Sequence, residues 1–201
     1  MIADIGNIII DKIDDLPFID KIAGVVRVVR FKNKDGILKS YPADCRISLD
    51  DCNKGKRYMD LIPDSSKKSV IYLEDTGLRQ TSRNGNIQQY NAQYNLIGWL
   101  NLAKLGVDNC SYSAIAIGAI FKRISIPQFH SGIYQYVNIK ILGQQPKSVD
   151  PFTKYNYDET INQYLMFPYD HFVLSIEVDF RFDVRCIDEV TLNPENSCLK
   201  K

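Results

Sequence analysis

Residues 171–187 read HFVLSIEVDFRFDVRCI, and this stretch constrains the fold more than any other. Phe172, Leu174, Ile176, Val178, Phe180, Phe182, Val184 and Cys186 hold every second position, with Val173, Ser175, Glu177, Asp179, Arg181, Asp183 and Arg185 between them. Strict alternation is the period of a β-strand with one dry face and one polar face. Unbroken, such a strand would extend roughly 55 Å at about 3.3 Å per residue. That overhangs an ordinary single-domain core, and a long strand left exposed invites pairing with another chain.

The rest of the chain supplies partners for it. Ile2, Ile5, Ile9, Ile13 and Leu16 recur at helical spacing, which predicts an amphipathic helix ended by Pro17. The β-branched run GVVRVVRF (24–31) predicts a strand, NKDG (33–36) a turn, and ILKSYPADCRISL (37–49) a second strand. Pro42 within it argues for a sheet edge or an interruption. Residues 69–79 predict another strand, QTSRNGN (80–86) a hairpin tip, and IQQYNAQYNLIGWLNL the returning arm. That arm's second face is Asn91, Gln93 and Asn95 near the tip, then Ile97 and Trp99, so it turns from wet to covered along its length. CSYSAIAIGAIFKRI (110–124) predicts a helix capped by Ser111, with Lys122 and Arg123 where cations are favoured. It is apolar nearly all round, which predicts burial against the sheet. Residues 133–142 predict one more strand.

Two long loops, 49–68 and 143–170, complete the pattern, the second with room for a short helix near 158–166. The tail beyond the last strand is polar. The expected fold is a single α+β domain over 1–201: one mostly antiparallel sheet with long hairpin strands, an N-terminal helix and a buried second helix packed on it. With 201 residues, 45% of them hydrophobic, the chain can build a core without disulfides or metal.

Charge and cysteine usage narrow the function classes. The net charge is +1, which gives no global pull toward nucleic acid or membrane. Cys45, Cys52, Cys110, Cys186 and Cys198 are odd in number, none in C-x-x-C spacing, and read as reduced thiols. With two histidines besides, a zinc site of ordinary composition is not expected. The glycosylation sequon at Asn109 matters only in a secretory pathway. The first residues carry Asp4 and Asp11 and no basic region, unlike a signal peptide, and the apolar run 114–121 is too short to span a bilayer. The chain reads as a soluble protein made inside a cell, without membrane contact.

Catalytic signatures are missing. Phosphate-loop, dinucleotide, nucleophile-elbow and zinc-protease motifs are absent. NGN (84–86) is turn chemistry. His130 and His171 are the only neutral-pH bases, and nothing flanks them that completes a triad. Glu177, Asp179 and Asp183 share a strand face at about 6.6 Å spacing, a separation glycosidases use. Arg181 and Arg185 stand among them, and a ladder of mixed sign better suits pairing with a neighbouring strand or subunit. No catalytic residue, cofactor or metal is assigned. Glu177, Asp179, Arg181, Asp183 and Arg185 are the candidate subunit-contact face. Lys54, Lys56, Arg57, Lys67 and Lys68 form the best basic cluster, diluted by Asp50, Asp51, Asp60 and Asp64; they are the candidate partner- or DNA-facing loop.

The order of an amphipathic helix, two strands, a long hairpin ending in YNAQYNLIGWLNL, a second helix and the final strand HFVLSIEVDFRFDV resembles bacteriophage tail-terminator and neck ring proteins. The asparagine-, tyrosine- and isoleucine-rich style is similar to proteins of crAss-like phages. The resemblance implies a virion structural protein, made in the host cytoplasm and not an enzyme. It implies a homo-oligomeric ring of six or twelve copies between portal and tail, contacts with adjacent portal, neck or tail proteins, and a lumen through which DNA passes. The alternative is a monomeric carbohydrate- or protein-binding module, with Tyr155, Tyr157, Tyr164 and Tyr169 as a loop-borne aromatic surface.

Overall fold

The computed structural model describes residues 1–32, 34–44, 61–108, 111–125, 129–131, 134–156 and 164–186. Its elements are α1 (Ile2–Ile10), β1 (Lys21–Lys32), β2 (Leu38–Asp44), β3 (Ser69–Asn84), β4 (Ile87–Asn101), the short α2 (Leu102–Leu105), α3 (Tyr112–Ile124), β5 (Phe129–Ser131), β6 (Tyr134–Gln144) and β7 (Tyr169–Asp183). The seven strands form one sheet in the order β2-β1-β3-β4-β7-β6-β5. The α+β class is as the alternating and helical periods predict.

The alternating strand is shorter than its pattern. β7 ends at Asp183, and Val184–Cys186 turn as a 3-10 helix. It is also not exposed at an edge. β4 pairs with it along one side from Ile87↔Asp183 to Asn101↔Tyr169, and β6 pairs along the other. Its length is absorbed inside the chain, because β4 is equally long.

Every contact in the sheet is antiparallel except one: β1 runs parallel to β3 from Lys21↔Val70 to Val26↔Glu74. There the two strands part. β1 goes on to Lys32 beside β2, while β3 continues through Asp75–Asn84 with β4 on one side. Among the described residues, nothing pairs with the outer edge of that distal half. β2 is an edge strand, as Pro42 predicts, and its outer side is bridged at one point. Asn156 bridges to Ser40, donating its backbone N–H to the Ser40 carbonyl at 3.1 Å and its side-chain amide to the Leu38 carbonyl at 2.7 Å.

The first face of the sheet carries the main core. Ile71, Leu73, Tyr94, Leu96, Phe172, Leu174, Ile176, Val178 and Phe180 are covered by α1 and α3. Tyr90 stacks on both Phe180 and Phe182, with ring centroids 5.7 and 5.8 Å away. Phe172 lies flat over Gly98, where an added Cβ would come within 2.2 Å of the ring. The helix expected over 2–16 stops at Ile10. The next turns bond three residues back, from Ile13 N–H to the Ile10 carbonyl at 2.9 Å and from Leu16 N–H to the Ile13 carbonyl at 3.1 Å. Ile13 and Leu16 stay buried. Asp11, Asp14 and Asp15 crowd that end, where helix propensity is low and the helix dipole disfavours negative charge.

α3 corrects a second expectation. It packs through Ser113, Ala116, Ile120 and Ile124, but Ile115 is 62% exposed and Phe121 42% exposed. A sheet face can cover only one stripe of a helix, so the outer half of this apolar element stays bare. Ser111 stands at the N-cap without a side-chain capping bond.

The second face is split. Near the start of β7 a strap, residues 145–156 and 164–168, lies over it and completes a smaller core of Val70, Tyr72, Ile97, Trp99, Phe152, Tyr155, Tyr164 and Val173. Leu61 and Ile62, in the described part of the first long loop, join this core. The Trp99 indole N–H donates to the Tyr164 carbonyl at 2.8 Å. The short helix expected near 158–166 falls largely outside the described residues. Toward the hairpin tip the same face is uncovered.

Candidate functional site

The uncovered part of the second face is a polar platform across four strands, and strand register builds it row by row. Gly77, Gln93, Glu177 and Lys140 lie side by side on β3, β4, β7 and β6. Arg79, Asn91, Asp179 and Asn138 form the next row, and Ser82, Gln89, Arg181 and Tyr136 the third. Apolar residues alternate with these toward the first face, so hydrophobic patterning alone forces the polar residues into one plane.

The charges in this plane are largely cancelled by their neighbours. The Lys140 ammonium donates to Asp179 at 2.7 Å and stands 3.6 Å from Glu177. The Asn91 amide donates to the other side of Asp179 at 2.7 Å. Burial alone would raise the Asp179 carboxyl, but the bonds from Lys140 and Asn91 outweigh it and hold the group below its ordinary value. The bond to Asp179 in turn raises the Lys140 ammonium. Arg181 turns its guanidinium over the Tyr136 ring, 5.5 Å from the centroid. At the edge of the strap, the Gln145 amide donates to Asn95 at 3.1 Å and to Ser175 at 3.3 Å. On β3, Arg79 borders an open groove of about 310 Å³ with Gly77, Leu78, Asn91 and Gln93.

A second cleft, about 210 Å³, opens where β1 leaves β3. At its base the buried Glu74 carboxylate accepts from the Tyr155 hydroxyl at 2.6 Å and from the Lys154 ammonium. Burial, then the nearby Glu74 charge, pushes the Tyr155 hydroxyl well up.

The candidate contact face is only partly assembled as expected. Glu177, Asp179 and Arg181 do lie on the platform. Asp183 and Arg185 close on each other instead: the guanidinium makes bonds of 2.5 and 3.0 Å to the Asp183 carboxylate from the turn beyond the strand. That contact, above all its side-chain hydrogen bond, lowers Asp183 to about 2. The pattern of mixed sign therefore satisfies itself within the chain and not along an exposed sheet edge.

The basic loop changes character. Lys67 is 8% exposed. Its ammonium donates to the Ile62 carbonyl at 2.5 Å and pairs with Asp64 at 2.7 Å, so it is a structural cation and not a DNA-facing one. Burial would raise the Asp64 carboxyl, but the bonds from Lys67 and Ser66 hold it below its ordinary value. Lys68 is exposed, and its backbone N–H donates to Asp20 at 2.9 Å. Lys54, Lys56 and Arg57 lie outside the described residues.

The aromatic surface of the alternative reading is overturned. Tyr155 and Tyr164 are buried in the second core, and Tyr169 packs on Trp99 with centroids 5.1 Å apart. Tyr157 lies outside the described residues. His171 is buried beneath the strap beside Phe152, and among the described residues its Nε2 has no hydrogen-bond partner. Lys147 donates to Ser113 at 3.0 Å and to Asp170 at 2.7 and 2.8 Å. His130 sits on β5. Among the described residues no cluster of three or more His, Cys, Asp or Glu side chains gathers to hold a metal. No described helix is long and apolar enough to cross a membrane.

Sequence reasoning missed Lys140, Arg79 and the Glu74–Lys154–Tyr155 contact. Lys140 carried a signal, since Asn138 and Lys140 alternate with Ile139 and Ile141. The other two depend on which strand lies beside which. No protein-family model matches the chain, and no curated protein matches its sequence.

Proposed function

We propose that the chain is a structural subunit of a phage neck or tail ring. Six or twelve copies would close around a DNA channel in the virion, in contact with adjacent portal, neck or tail proteins. The polar platform is the observation that carries this reading. Its rows are rich in amides, and its central Lys140 is engaged by both Asp179 and Glu177. Duplex DNA is gripped through phosphates by unpaired cations, each adding affinity. A surface that presents few unpaired cations lets DNA pass without holding it.

Native mass spectrometry across a concentration series tests the proposal. The 23.0 kDa chain is expected to give discrete species of six or twelve copies. A monomer at every concentration, with no ring visible by electron microscopy, would overturn it. A second reading, a carbohydrate- or protein-binding module, is favoured by the open groove beside Arg79. It predicts a monomer with a saturable ligand, and loss of binding in Arg79→Ala.

A further inference from the structure

The sheet leaves strand edges open on opposite sides. The distal half of β3, Asp75–Asn84, has β4 on one side and no described neighbour on the other. On the far side, among the described residues, β5 pairs with β6 at Phe129↔Val137 and Ser131↔Tyr134. Among the described residues nothing pairs with the outer edge of β6 beyond Val137. The margin at β2, by contrast, is bridged by Asn156 at Ser40 and Leu38. Open backbone edges demand an extended chain with its own open edge.

We infer that the distal edge of β3 in one copy pairs with the outer edge of β6, Asn138–Gln144, in the next copy, so that one sheet continues around the ring. This rests on the ring reading. Three observations identify the occupant as a second copy. The first is direction. β3 is antiparallel to β4, β4 to β7, and β7 to β6, so β6 runs opposite to β3. Copies repeated in the same orientation around an axis therefore meet in the antiparallel sense, the sense of every other contact in the sheet but one.

The second is facing. Leu78 is 37% exposed and shares its row with Ala92, Val178 and Ile139 on the first face. A continued sheet sets Leu78 beside the Ile139 or Ile141 of the neighbour, and apolar residues meet apolar residues. The third is charge. At the β6 margin Lys140 and Arg181 balance Glu177 and Asp179, so no net positive charge stands there to repel a neighbour's cation. Arg79 carries a positive charge on the same face, in the same row as Asp179. The bulges at Asp75/Gly77 and Gln80/Ser82 twist the β3 edge, and they limit it to a partner of matching twist.

The test uses the full chain with a photoreactive benzoylphenylalanine at position 78. Ring formation is read by native mass spectrometry, and crosslinks are mapped in a mixture of isotope-labelled and unlabelled copies. The expected result is a ring with mixed-isotope crosslinks from position 78 to the peptide containing 138–144. A ring whose crosslinks fall elsewhere, including on residues 187–201 or within one copy, overturns the β3–β6 contact and leaves the ring reading standing. If the unsubstituted chain forms no ring, both are overturned.

Discussion

Single residues in this chain are fixed by what a neighbouring strand brings against them. Gly98 is the clearest example, because the Phe172 ring occupies the space of a Cβ. Gly98→Ala forces the ring off its site and is expected to cost about 1–3 kcal/mol in urea denaturation, the usual range for an overpacked core. Gly118, on the bare side of α3, meets nothing within 4 Å, so Gly118→Ala in the same assay should stabilise by about 0.5–1 kcal/mol. Asp183 gives a pH signature. Its carboxyl is lowered from 3.8 to about 2 by Arg185, so the contact stabilises above the unfolded value and is lost as pH falls through the folded one. The stability difference between wild type and Arg185→Ala should be constant above about pH 5 and vanish by about pH 1. A difference that grows on acidification would refute this assignment. Neither contact could be read from the sequence. Gly98 and Phe172 are far apart in the chain, and a charge pattern along one strand does not reveal that its last pair folds back on itself.

At the scale of elements, period was a good guide and register was not. The strands β4 and β7 follow directly from alternation and the edge position of β2 from Pro42, while β3 runs on to Asn84 through residues expected to form the hairpin tip at 80–86. The wet-to-dry change along β4 anticipated that something covers its base, yet the strap itself has no period to read. Its Tyr155 and Tyr164 looked like surface aromatics because nothing local showed the sheet beneath them. α3 failed in the opposite direction. An element apolar on every side predicts burial on every side, but one sheet supplies only one contact. The two sides of this helix should therefore differ in stability measurements. Ile120→Ala is expected to cost about 2–5 kcal/mol. Ile115→Ser and Phe121→Ser should stay within about 0.5 kcal/mol in the isolated chain. Equal losses on both sides would mean that the outer stripe is already covered.

For the whole molecule, the polar platform predicts weak interaction with nucleic acid. Filter binding at about 0.15 M salt should detect no retention of duplex DNA by the assembled ring, since few unpaired cations are presented to release counterions. Tight, steeply salt-dependent binding would contradict a sliding surface. The parallel contact between β1 and β3 carries a different consequence, in time and not in space. Lys21 must wait for Val70, and α1 rests on Leu73, Tyr94 and other residues made still later. At a synthesis rate of about 5–20 residues per second, α1 and the start of β1 leave the ribosome roughly 3–15 s before these partners exist. The hairpin of β3 and β4, closed by a two-residue turn at Gly85, can zip as soon as it emerges. α1 and the start of β1 thus stay without their sheet until β3 and β4 exist. Until then the isoleucines of α1 face whatever the cell supplies.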